Sequence, residues 1–442
     1  MQPTRSFMFS CLALVVLIAL SGYAFSATVA VGTCTTLVHF ATIQLAVDSV
    51  AAGSTGSIIK VCPGKYPEQV AIIAKGLTLE GIASSAGDAA VILPPATGLV
   101  ANTADVDTGK PIAAQLLVQN AGPVSISNLT VDGTGNAITG CSPDLRGILF
   151  QNASGTVKHV AVRNQVPNGI PSGCQIGESI YVQTAAGAGN SSTVTVEKSS
   201  VHNYNKNGIT GNDAGTTLTL TGNYVQGAGV VPVPGAAQNG IQLGYGATGT
   251  IKGNTVIDNI YGDPTVAASA NILLYDTAEN SGIAVISNRV GNSQLPIALI
   301  TLGDDGANLG DGVTVTGNHI FGTSDYDAID VCTNGNTVTG NTIFNSAESG
   351  VHLDASCGIA FGGTTGNNNI ASGNTIVESA CAGILADTVT TGNTTSPDTY
   401  FTVPFPVTSS TASCTIPPGP TGDTTLAGLT RGKTARKFSP AR

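Results

Sequence analysis

The chain has 442 residues, with 17 Lys and Arg against 27 Asp and Glu, a net charge of −10, and only 10% of its residues are charged. That balance excludes a nucleic-acid partner, because phosphate contacts need clustered Lys and Arg. With 56 glycines and no Trp, most of the polar surface falls to Gly, Asn, Thr and Ser.

Arg5, the apolar run from Phe7 to Leu20 and the small-residue site Ala24-Phe25-Ser26 read as a secretory signal over residues 1–26. The run is short for a membrane span, and no later segment is long and apolar enough to cross a bilayer. Loss of Arg5 leaves 16 basic residues against 27 acidic ones, a net of −11. Cys11 leaves with the signal. The remaining eight cysteines form four sequential couples: Cys34 and Cys62, Cys141 and Cys174, Cys332 and Cys357, Cys381 and Cys414. In an exported chain an even set reads as disulfides, and no close pair suits zinc. Parity does not determine the pairing, so the connectivity stays open.

Residues 39–52 place Ile43, Ala46, Val47 and Val50 on one stripe at helical spacing, with Gly53 ending the run; an amphipathic helix plugging the N-terminal opening is expected. IIKVCPG at 58–64 then starts a ladder of repeats. The phrase Gly-Asn-Thr-Val or a relative recurs as LTGNYV (220–225), IKGNTV (251–256), VISNRV (285–290), VTGNHI (315–320), VTGNTI (338–343) and IASGNTI (370–376). Each is followed by a Gly-Ile segment with alternating residues, such as NGIQLG at 239–244 and SGVHLD at 349–354. Short alternating runs separated by Gly, Asn and Ser turns are strands. None can bury a core alone, so they must stack. The fold class is therefore all-β, a single-stranded right-handed parallel β-helix over residues 27–415. Asn223, Asn254, Asn288, Asn318, Asn341 and Asn374 are expected to form a structural ladder. Residues 416–442 carry Arg431, Lys433, Arg436, Lys437 and Arg442 without alternation, a basic tail expected to be mobile.

The opening ATIQLAVDSV…IIKVCPGKYPEQVAI…GLTLEG at 41–81 resembles the first coil of the pectin-lyase-like superfamily, including pectin methylesterases. The later coils resemble generic right-handed β-helix repeats of the copper-periplasm NosD type. The resemblance covers residues 40 to 390 and implies a fold without a reaction, since this superfamily holds lyases, hydrolases, esterases, epimerases and non-catalytic adhesins. Gly64, Tyr66 and Glu68 match the Gly-x-Tyr-x-Glu phrase of the methylesterases, but their Gln-Asp, Asp-Phe-x-x-Gly and Arg-Pro-Trp segments have no counterpart. Asp304-Asp305 matches one polygalacturonase dipeptide without Gly-His-Gly, and the pectate lyase blocks are missing. Tyr326, Asp327 and Asp330 are similar to part of the mannuronan epimerase phrase, without its Pro-His-Asp end.

The repeat register aligns side chains distant in sequence. After each Gly-Ile the next residue should point outward, giving the column Leu149, Tyr181, Thr210, Gln242, Leu273, Ala298, Asp330, His352, Leu385. Two residues on, Cys332, Asp354 and Asp387 follow. Coils about 4.8 Å apart then bring Asp330, His352 and Asp354 together as candidate acid–base residues, with Asp387, Gln242 and Arg289 as candidate substrate contacts. Asp325 and Asp327 are candidate ligands of a cation, Ca²⁺ being the expected one for carboxylates. Asp304, Asp305 and Asp311 form a second acidic loop, more simply read as a turn. Two functions follow: a secreted monomer that binds polysaccharide on its coil surface, as a lyase or glycoside hydrolase, or a non-catalytic extracellular structural or adhesin-like protein.

Overall fold

The structure, a computed structural model, describes residues 26–83, 89–168, 173–278, 280–301, 312–355 and 365–409. The leader up to Phe25, the acidic loop holding Asp304, Asp305 and Asp311, Cys357, Cys414 and the basic tail lie outside the described residues. Every coil visits three parallel sheets in turn, of 13, 12 and 13 strands among the described residues. The chain is a right-handed parallel β-helix, the hand that parallel crossovers adopt.

The interior is a set of files, one residue per coil. Ile148, Ile180, Ile209, Ile241, Ile272, Ile297, Ile329, Val351 and Ile384 pair in sequence up the third sheet, and all are buried. Each such side chain removed from water contributes about 2 kcal/mol. The glycine before the isoleucine sits at an inward corner: a Cβ on Gly208 would lie 2.6 Å from Val225 Cγ1. That corner explains why a residue is so often Gly there.

The asparagine ladder forms as expected. The Asn288 backbone N–H and Nδ2 both donate to Asn318 Oδ1, at 2.9 and 3.0 Å, and Asn288 Nδ2 also donates to Ile251 O at 2.9 Å. The same pattern runs from Asn223 to Asn374, where Asp398 Oδ1 takes the place of the next amide. Each rung converts a buried turn into a satisfied one.

Two departures occur at the N-terminal end. The helix spans only Ile43–Asp48, because His39–Phe40 pairs as a strand with Thr28–Val31. Its buried Ile43, Ala46 and Val47 join the main core, and Thr42 caps it. The first sheet also begins earlier than residue 58: Thr28–Val31 pairs in parallel with Ser57–Val61. Disulfides join Cys34 to Cys62 and Cys141 to Cys174; Cys332 and Cys381 are disulfide-bonded as well. Among the described residues no helix is long and apolar enough to cross a membrane.

Candidate functional site

The outward column of the third sheet has the register expected from the repeats. Ala298 pairs with Asp330, Asp330 with His352 and His352 with Leu385. Around His352 four carboxylates converge. Nδ1 lies 3.1 Å from Asp327 Oδ2, 3.7 Å from Asp354 Oδ2 and 4.0 Å from Asp330 Oδ1, and Nε2 lies 3.2 Å from Asp387 Oδ1. Asp327 is anchored by the Ser349 N–H on its Oδ1 at 3.0 Å, and Asp387 by the Ala355 N–H on its Oδ2 at 3.1 Å.

The outward column is not open to solvent at this cluster. Asp330 is 0% and His352 2% exposed, whereas the Asp387 side chain retains 26%. The sheet's outer face carries a second apolar layer there. Leu273, Ala298, Ile300 and Cys332 cluster with Tyr326, whose hydroxyl donates to Pro264 O at 2.7 Å. Turns leading into the third sheet fold back over it, which alternation within a strand cannot reveal. Asp387 is thus the side of the cluster nearest solvent.

Burial alone would push the His352 imidazole down, but the carboxylates of Asp354 and Asp327 and the hydrogen bonds to Asp327 and Asp387 hold it well above the usual histidine range. Each ring nitrogen has a carboxylate oxygen within hydrogen-bond reach, an arrangement that favours the protonated ring. Asp327, Asp330 and His352, and likewise His352, Asp354 and Asp387, place one ligand atom each within 4.8 Å of one another, a spacing that suits a metal ion. Neither group supplies the roughly six to eight oxygens that Ca²⁺ takes.

The other candidate residues lie elsewhere. Asp325 belongs to neither group, and Ser324 Oγ donates to its Oδ2 at 2.6 Å. Gln242 is buried in an amide network, donating to Asn212 Oδ1 at 3.1 Å and accepting from Asn207 Nδ2 at 3.0 Å. Arg289 is on the second sheet, between Thr255 and His319, with its guanidinium 4.2 Å from the Phe321 ring centre. It does not share the face of the aspartates.

A second charged group lies on the third sheet. Arg146 is fully buried between Asp144 at 2.6 Å and Glu178 at 2.7 Å, over the Tyr181 ring at 3.7 Å. Burial raises both carboxyls against the pull of Arg146. Nearby Lys206 is buried, donates to Ala237 O at 2.6 Å and is pushed down to about 7 by burial, against the opposing field of Glu178. Arg146 and Glu178 pair directly in the register, one residue before the inward corner; Asp327 stands at the same place in its coil. A second column read at that position shows both.

No protein-family model matches the sequence, and no curated protein sequence matches it. Solved structures do. The A-module of the mannuronan C-5 epimerase AlgE4 from Azotobacter vinelandii aligns with TM-score 0.55 at 15% identity, covering 83% of this chain and 92% of its own. The Streptococcus pneumoniae surface protein and adhesin PfbA gives 0.47 at 13% identity, over 83% and 94%. Pectin methylesterase PemA from Erwinia chrysanthemi gives 0.37 at 14% identity, over 61% and 80%. With its three parallel sheets and stacked coils, this chain has the fold of the pectin-lyase-like parallel β-helix proteins.

Proposed function

We propose that this is an exported polysaccharide-binding protein with acid–base chemistry at the His352 cluster, of the lyase type. The observation that carries the reading is the bridging of His352 between buried Asp327 on Nδ1 and part-exposed Asp387 on Nε2. Asp327 orients the ring, and Nε2 faces the side from which a sugar would come. In elimination Asp387 takes the proton beside a uronate carboxylate, the C–O bond to the leaving sugar breaks as the C=C bond forms, and His352 Nε2 protonates the departing oxygen. Nε2 and Asp387 Oδ1, 3.2 Å apart, are closer than the about 5 Å or more that hydrolysis needs between its acid and base. The disulfides fit an oxidising compartment. The fold is shared with a protein named for acting on mannuronan, which supports a glycan as the ligand class.

A second reading, a non-catalytic surface protein, is favoured by the burial of the same cluster, which ties together the coils of Asp327, His352 and Asp387. Purified protein assayed on uronate-containing and neutral polysaccharides separates the two. The first reading expects new reducing ends or unsaturated products, lost at least 100-fold in His352→Asn and reduced in Asp330→Ala. Turnover that survives both substitutions sinks the assignment of the site. Glycan binding without turnover, together with a lowered melting temperature in His352→Asn, supports the second reading.

A further inference from the structure

On the flank away from the third sheet, the turn joining the first sheet to the second bears a groove of about 540 Å³. Its floor is the outward file Thr130, Ala161 and Ser200 of successive coils. These side chains are small, which is why the surface is hollow there. Tyr224, next in the file, stands 41% exposed beside them.

The rim is one residue per coil, two positions before each floor residue: Asn128, His159, Lys198 and Gly222, all with left-handed backbone, at φ 54°, 52°, 49° and 65°. The same place in later coils is Gly253, Ser287, Gly317, Gly340 and Gly373, with φ between 52° and 68°. Glycine adopts this conformation freely, whereas a Cβ disfavours it. Two consecutive coils therefore hold a His and a Lys, both exposed, in a backbone state that suits neither. Strain of this kind is a reason to look for function. One coil's rise of about 4.8 Å separates them, close to the length of one pyranose unit. Lys158 is engaged with Glu197 at 2.6 Å; of the polar rim residues Asn128, His159 and Lys198, the last two are basic.

We propose that this groove binds a segment of acidic polysaccharide, with its carboxylate or sulfate groups on His159 and Lys198 and a sugar face on the Tyr224 ring. On a chain with net charge −10, a local pair of basic groups is what an anionic glycan requires. The inference takes its ligand class from the polysaccharide reading above and does not depend on the His352 cluster.

The test compares the full chain with H159G/K198G and with Tyr224→Ser, by calorimetric titration with an oligouronate, a sulfated glucan and a neutral glucan. The double variant installs the residue that most later coils use, so its melting temperature should hold or rise. Expected is a tenfold or greater loss of affinity for the acidic glycans in the double variant, a smaller loss in Tyr224→Ser, and no change with the neutral one. The two acidic ligands distinguish carboxylate from sulfate recognition. Wild-type binding that the double variant keeps would overturn the groove assignment alone. Absence of any glycan binding by the wild type would remove the polysaccharide reading with it. Tighter binding to polyglutamate than to the oligouronate would overturn the ligand class.

Discussion

Lys206 shows how much a single residue can cost. Its ammonium is withdrawn from water with one carbonyl as hydrogen-bond partner shown, and its pKa falls to about 7. An unfolded lysine titrates near 10.4. Between those values the unfolded chain holds a proton that the folded chain lacks, so stability rises with pH across that window. Below about pH 7 the full penalty applies, on the order of 4 kcal/mol. Lys206→Met should therefore raise stability at pH 7 by roughly 2 kcal/mol after loss of the bond to Ala237, and the gain should vanish near pH 11. Urea unfolding at both pH values checks this; a destabilised variant at pH 7 would mean that the ammonium is solvated.

At the scale of the element, the asparagine ladder carries the turn between the first and second sheets. Asn318 accepts twice from Asn288 and donates to Val285 O at 2.9 Å. Asn318→Ala leaves buried donors of Asn288 and a carbonyl without partners, a loss of about 2–4 kcal/mol. Asn318→Asp keeps the acceptor and should lose less. Chemical denaturation of the two variants gives the order. Equal losses would show that the side-chain donor, not the accepting oxygen, holds the rung.

At the scale of the whole molecule, each coil touches chiefly its neighbours, so stability is close to a sum over coils and their interfaces. Cross-links act locally in such a stack. The Cys34–Cys62 and Cys141–Cys174 bridges close loops of 28 and 33 residues. In the chain-entropy model each stabilises by about 3 kcal/mol. Cys141→Ala with Cys174→Ala should lower stability by that amount, with hydrogen exchange accelerated mainly near the adjoining coils, those of Arg146 and Glu178. Uniform acceleration from end to end would show that the cylinder unfolds as one unit.

Alternation and a recurring phrase were enough to determine the coils, the inward file through Ile329, Val351 and Ile384, the outward neighbours Asp330 and His352, and the asparagine ladder. These follow from a local rule, the two-residue period of a strand, applied once per turn of the chain. The covering of the third sheet was decided only by tertiary structure, because it depends on where irregular turns fold back, and turns carry no period. The place of Arg289 on another sheet was already contained in the repeat, since it stands in VISNRV where Thr255 and His319 stand in the adjoining copies. The burial of Arg146, Glu178 and Lys206, by contrast, depends on the packing of turns. A repeat specifies which residues are stacked above one another; only the packed chain specifies what lies outside the stack and which charges it shuts away from water.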